Sequence, residues 1–147
     1  LPATALRLAG EFPHIVAIKE ASGNMSQCMD LVQGAPDHFA VLSGDDDLVL
    51  PQIALGMQGV ISVAANCYTK DFTQMVQLAL DGHFAEARAL HYKLIKGIRL
   101  LFAEGNPTGV KCALHHYGIS ANVLRLPLVP AGNELDQQIQ AFVKETR

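Results

Sequence analysis

The chain has 147 residues, half of them hydrophobic and 17% charged, enough to build one buried core and too apolar for a disordered segment. A net charge of −3 with no basic run excludes a nucleic-acid-binding surface. No apolar stretch approaches the roughly 18 residues needed to cross a bilayer, which excludes a membrane partner of that kind.

The three cysteines, Cys28, Cys67 and Cys112, are scattered and odd in number, and read as structural thiols of a reducing cytosol. The chain opens at Leu1 rather than Met and starts inside a helical pattern, so it reads as one whose front has been removed.

Residues 2–11 predict a helix with Pro2 in its first turn and Leu6 and Ala9 facing a sheet. Phe12-Pro13 ends it. The run His14-Ile15-Val16-Ala17-Ile18-Lys19 then predicts a strand buried on both faces, because it is short and rich in Val and Ile. Ser22-Gly23-Asn24 follows with turn chemistry and a helix N-cap, so Lys19 falls at the carboxyl end of the strand. Alternation puts Ile15, Ala17 and Lys19 on one face and Val16, Ile18 and Glu20 on the other.

A helix is predicted over 24–33, with Met25, Cys28, Met29 and Val32 as its apolar stripe. Phe39-Ala40-Val41-Leu42-Ser43 predicts a second buried strand, closed by Gly44-Asp45-Asp46-Asp47. The three aspartates are expected to cap a helix running to Gly56, with Pro51 tolerated near its start. Residues 59–64 predict a third strand, and 69–80 a helix. Strands and helices alternating about every 22–25 residues imply repeated βα units on a parallel sheet. After residue 82 the pattern turns helical, with helices expected at 83–104, 107–117 and 133–145 and an extended, proline-rich crossing at 124–130. Leu135, Ile139, Phe142 and Val143 form the apolar side of the last helix.

Chemistry is expected where α/β folds place it, at the carboxyl ends of the strands. A lysine there is either a solvated strand end or an amine kept from water until it can attack a carbonyl. Bringing a lysine from about 10.4 to near 7 takes roughly 4–5 kcal/mol of differential destabilisation of the cation, within reach of burial.

Other constellations carry less. Consecutive aspartates on a helix start answer the dipole more often than they hold magnesium. Adjacent His115 and His116 diverge by about 100° on a helix, and no third ligand sits at matching spacing beside Cys112, so a surface reading and no metal are expected. His83 and His91 receive the same surface reading. The Gly56-x-x-Gly59 pair lacks the Lys-Ser/Thr of a phosphate loop.

Ile18-Lys19-Glu20-Ala21-Ser22-Gly23-Asn24, Leu42-Ser43-Gly44-Asp45-Asp46 and Gly59-Val60-Ile61-Ser62-Val63-Ala64-Ala65-Asn66 closely resemble the dihydrodipicolinate synthase family. Asn106-Pro107, Val110-Lys111 and Leu124-Arg125-Leu126-Pro127 are similar to its C-terminal region. The resemblance implies an α/β fold that is the C-terminal part of a (β/α)8 TIM barrel, its last three βα units, followed by a helical extension. It divides the chain into a partial barrel at 1–82 and the extension at 83–147.

The resemblance also implies that Lys19 is a Schiff-base lysine. Ile61 would bind pyruvate through its backbone, and Gly44 and Asp45 would line the second substrate's side. Pyruvate and aspartate semialdehyde are the implied substrates, with no cofactor beyond a covalent imine through lysine. Further implied are a cytoplasmic setting, the absent N-terminal half of the barrel as a partner, and a homotetramer in which Met25 and Leu55 are contact residues. The family's tyrosine relay and substrate-gripping arginine would lie upstream of Leu1. An N-acetylneuraminate lyase or keto-deoxy-sugar-acid aldolase of the same superfamily, and a non-catalytic barrel fragment, are the alternatives.

Overall fold

A computed structural model describes residues 1–146. It shows an α/β fold with two parallel strands and seven α-helices among the described residues. The chain divides into two compact units, residues 1–62 with 74–88 and residues 63–73 with 89–147.

The first unit begins with α1 (Pro2–Glu11), opened by Pro2 where an amide would have no intrahelical partner anyway. Strand β1 (Ala17–Glu20) leads to α2 (Met25–Gly34), and β2 (Ala40–Ser43) to α3 (Val49–Ala54). The strands are parallel, with Lys19 opposite Leu42 and Glu20 opposite Ser43. Ala9, Cys28, Leu31, Phe39, Val41 and Met57 form the buried core, with Leu6, Ile18 and Val32 packed against it. Helices α1 and α2 thus cover one side of the sheet with their apolar stripes.

Two expectations for the strands need correction. The predicted third strand at 59–64 shrinks to one bridge, Ser43 to Val60. Ser43 N donates to the Gly59 carbonyl at 2.8 Å and Ile61 N to the Ser43 carbonyl at 2.9 Å. The ladder stops there because Val63 turns to helical dihedrals and starts a 3-10 turn, Ala64–Asn66. The strands are also not buried on both faces. Glu20, Val41 and Ser43 are buried, whereas Ala17 and Lys19 are exposed. Helices cover one face only, and nothing within this unit lies over the other.

A third correction concerns Asp45-Asp46-Asp47. Helix α3 starts only at Val49, its N-cap is Leu48, and no side chain caps it. The aspartates occupy the preceding turn, where Leu48 N bonds the Asp45 carbonyl at 3.1 Å.

Helix α4 (Thr69–Leu80) and helix α5 (Phe84–Phe102) each contribute residues to both units. The second unit adds α6 (Thr108–His116) and α7 (Asn133–Thr146). Helices α6 and α7 pack together, and α7 buries Leu135, Ile139, Phe142 and Val143, the four residues expected from its periodicity. Tyr68 meets the Phe142 ring edge-on at 5.5 Å, a favourable quadrupole arrangement. The crossing at 124–130 forms no regular element. His91, expected at the surface, is 8% exposed. No helix among the described residues is long and apolar enough to cross a membrane.

Candidate active site at the carboxyl ends of the strands

Alternation along the paired strands sorts the side chains of the first unit into two sets. Ile18, Glu20, Val41, Ser43 and Val60 share the helix-covered side. Lys19, Leu42, Gly44 and Ile61 share the open one, through the register of Lys19 with Leu42 and of Ser43 with Val60. The four residues expected at the site, Lys19, Gly44, Asp45 and Ile61, therefore come to the carboxyl ends of three adjacent segments.

Lys19 and Gly44 are in close approach. A Cβ built on Gly44 would lie 2.7 Å from Lys19 Cε and would also overlap the Ala21 side chain. Glycine is required at 44 chiefly because the Ala21 side chain, fixed to its backbone, fills the space a Cβ would need, with the Glu20 carbonyl at 3.1 Å and the lysine stem beside it. The backbones are tied as well, with Gly44 N donating to the Glu20 carbonyl at 2.6 Å. Lys19 itself is exposed, so its ammonium is not kept from water by residues of this unit. The dry surroundings expected of a reactive amine are absent from it.

Asp45 is used differently from a simple substrate-facing carboxylate. Its Oδ2 accepts from Gly23 N at 3.2 Å and from Gln52 Nε2 at 3.4 Å, joining the loop after β1 to the loop after β2 and to α3. Gly23 adopts φ +70°, the left-handed turn that presents this amide, which a side chain would disfavour. Ile61 is half-exposed at 51%, and its amide is spent on the Ser43 carbonyl.

Glu20 is the residue that sequence reasoning missed. It is 6% exposed, and its carboxylate accepts from Ser22 N at 2.7 Å and from Gln27 Nε2 at 3.0 Å. Burial alone would raise the Glu20 carboxyl, but the Ser22 and Gln27 hydrogen bonds outweigh it and hold the group below its ordinary value. The signal was present in the sequence. A glutamate on the core face of a strand must find donors, and Ser22 and Gln27 were the nearby candidates. Asn24 caps α2 as expected, accepting from Gln27 N at 3.1 Å. The turn that follows the lysine's strand is thus tied to Glu20 and Asp45, and leads through the Asn24 cap into α2.

A second cluster lies in the second unit. Cys112 Sγ donates to Asp136 Oδ1 at 3.1 Å, and His116 Nε2 lies 3.1 Å from the same oxygen. Here the expectation that both His115 and His116 are surface residues is half corrected. His115 is exposed, but His116 is half-buried against α7, because packing brings Asp136 across from another helix. Sequence spacing alone offers no way to see that partner.

Parallel strands joined by helices define the α/β class of proteins, and here a lysine and small residues stand at the strands' carboxyl ends. Within that class, the chain belongs to the dihydrodipicolinate synthetase family, whose sequence model matches residues 1–146. It is 47% identical over 145 residues to the 4-hydroxy-tetrahydrodipicolinate synthase of Flavobacterium psychrophilum, covering 99% of this chain and 50% of that protein. It is 45% identical over 144 residues to the enzyme of that name from Methanocaldococcus jannaschii, covering 98% and 49%. The crystal structure of dihydrodipicolinate synthase from Aquifex aeolicus superposes with a TM-score of 0.95 at 39% identity, over 98% of this chain and 49% of that one. The chain spans about half the length of the relatives it matches.

Proposed function

We propose that this chain carries the amine-bearing half of a pyruvate-dependent class I aldolase of the 4-hydroxy-tetrahydrodipicolinate synthase type. In this reading residues 1–82 supply the last three βα units of a (β/α)8 barrel and residues 83–147 its helical extension. The exposed face of the strands then turns toward the barrel interior, which the remainder of the protein encloses. The observation that carries the reading is the Lys19 stem lying over Gly44, on a sheet face shared with Ile61.

The Lys19 amine attacks the pyruvate ketone, and loss of water leaves a protonated imine that acts as an electron sink. Removal of a methyl proton gives an enamine. Its carbon attacks the aldehyde of aspartate semialdehyde, and the product's own amine displaces Lys19 as the ring closes. No cofactor enters beyond the covalent imine. The amine must be neutral to attack, so desolvation falls to the barrel walls outside this chain. Ile61 has its amide engaged, so a backbone contact to pyruvate would use its carbonyl. Gly44 and Asp45 line the side of the second substrate, Asp45 also bracing the loop above Lys19. The whole enzyme acts in the cytoplasm as a homotetramer.

Borohydride reduction of the whole protein with pyruvate, followed by peptide mass spectrometry, tests this. A reduced pyruvyl adduct on Lys19, lost in Lys19→Ala, is expected. A folded, whole protein without an adduct on Lys19 overturns the assignment. Turnover of aspartate semialdehyde, set against N-acetylneuraminate, decides the second substrate.

A further inference from the structure

Helices α6 and α7 bring together three side chains for which the aldolase chemistry has no use. Cys112 and His116 stand four residues apart, one turn along the same face of α6. Asp136 comes from the first turn of α7. The ligand atoms of the three all lie within 4.8 Å of one another.

We propose that Cys112, His116 and Asp136 bind a thiophilic divalent ion of the Zn2+ class and so clip α6 to α7. The donor set selects the ion. Thiolate, imidazole and carboxylate together suit zinc and its neighbours, whereas magnesium and calcium take oxygen donors. Metal–ligand bonds of about 2.0–2.3 Å need donors grouped as closely as these. The site is also reachable. Cys112 is fully buried, but the His116 and Asp136 side chains are 14% and 38% exposed, which leaves a solvent-side position for a water as fourth ligand.

Binding replaces a proton by the metal. The Cys112 Sγ–H bond breaks, the Sγ–metal bond forms, and one proton leaves to solvent. The neutral imidazole and the carboxylate each donate a lone pair without losing one. The Cys112–Asp136 and His116–Asp136 hydrogen bonds are exchanged for coordination, so the inter-helix link is kept and tightened. The site lies wholly in the second unit and stands or falls independently of the Lys19 chemistry.

The test uses the whole protein, stripped with chelator and titrated with Co2+ as a spectroscopic probe, then with Zn2+ in competition with a chromophoric chelator. One equivalent per chain is expected, with a thiolate-to-cobalt charge-transfer band that Zn2+ abolishes. The band should vanish in Cys112→Ser and persist in Cys28→Ser and Cys67→Ser. Cys112→Ser could disturb a packed helix pair, so Asp136→Asn and His116→Gln, at the half-exposed edge, provide the second reading. Each should weaken Zn2+ binding about tenfold or more with unchanged far-ultraviolet circular dichroism. A wild-type protein with no charge-transfer band overturns the proposal. So does a band that survives Cys112→Ser, or Zn2+ affinity unchanged in both edge variants. Any of these leaves the cluster a hydrogen-bonded tie between helices and nothing more.

Discussion

The approach of Lys19 to Gly44 leaves no room for a methyl group. In Gly44→Ala the new Cβ meets Lys19 Cε at 2.7 Å and the Ala21 side chain, so the lysine stem or the loop must move. Overpacking of this sort costs about 1–3 kcal/mol, and a nucleophile displaced by an ångström loses about a hundredfold in rate. Pyruvate-dependent adduct formation by the whole protein should therefore fall about a hundredfold while the protein stays folded, read by the rate of borohydride trapping. Unaltered trapping in Gly44→Ala would show that this contact does not set the position of the amine.

Glu20 gives a second residue-scale outcome. Its folded-state carboxyl is held below the ordinary 4.5, so it stabilises the fold above that pH, and the contribution is lost as pH falls through the lower folded value. Denaturant midpoints measured across this acid range should decline in the wild type, and decline less in Glu20→Gln. At neutral pH the same variant should be about 1–3 kcal/mol less stable, since Ser22 N and Gln27 Nε2 meet different carboxylate oxygens and the amide puts an NH2 donor in place of one of them.

At the scale of elements, six of the seven expected helices and two of the three expected strands formed where their signals marked them, while α3 started late at Val49 and the third strand shrank to a bridge. Helix α7 buries the four residues its spacing marked, because a 3.6-residue period imposes one apolar side whatever lies opposite. Helix α2 starts where Asn24 can cap it, and Asn24→Ala should cost about 1 kcal/mol, measurable as a lower unfolding midpoint with the m-value unchanged. The segment at 59–64 has strand composition, yet pairs on one side only and ends in a turn at Val63. Strand length depends on neighbours that composition cannot report. Asp45 shows the same limit. Its place before a helix suggested a cap, but Gly23 N and Gln52 Nε2, brought in from α2's approach and from α3, took its carboxylate instead.

At the scale of the whole molecule, the chain spans about half of its relatives, and the side of the sheet bearing Lys19 and Ile61 is open. An exposed sheet face flanked by unpaired edges invites association. Expressed by itself, the 147-residue chain should bind a hydrophobic dye, self-associate with rising concentration and melt without a sharp transition. The whole protein should do none of these. A monomeric chain that unfolds cooperatively, by sedimentation and calorimetry, would contradict this.

Sequence by itself determined the run of helices, the cap at Asn24, the turn at Gly23 and the strand-end position of Lys19, all of which arise within about ten residues of chain. Only the tertiary structure decided that Gly44 underlies the lysine stem, that Asp45 braces its turn, and that Asp136 meets Cys112 and His116. The reason is range. Periodicity and turn chemistry act between near neighbours, whereas these meetings join residues 20 or more positions apart or on different strands, through packing that no local pattern encodes.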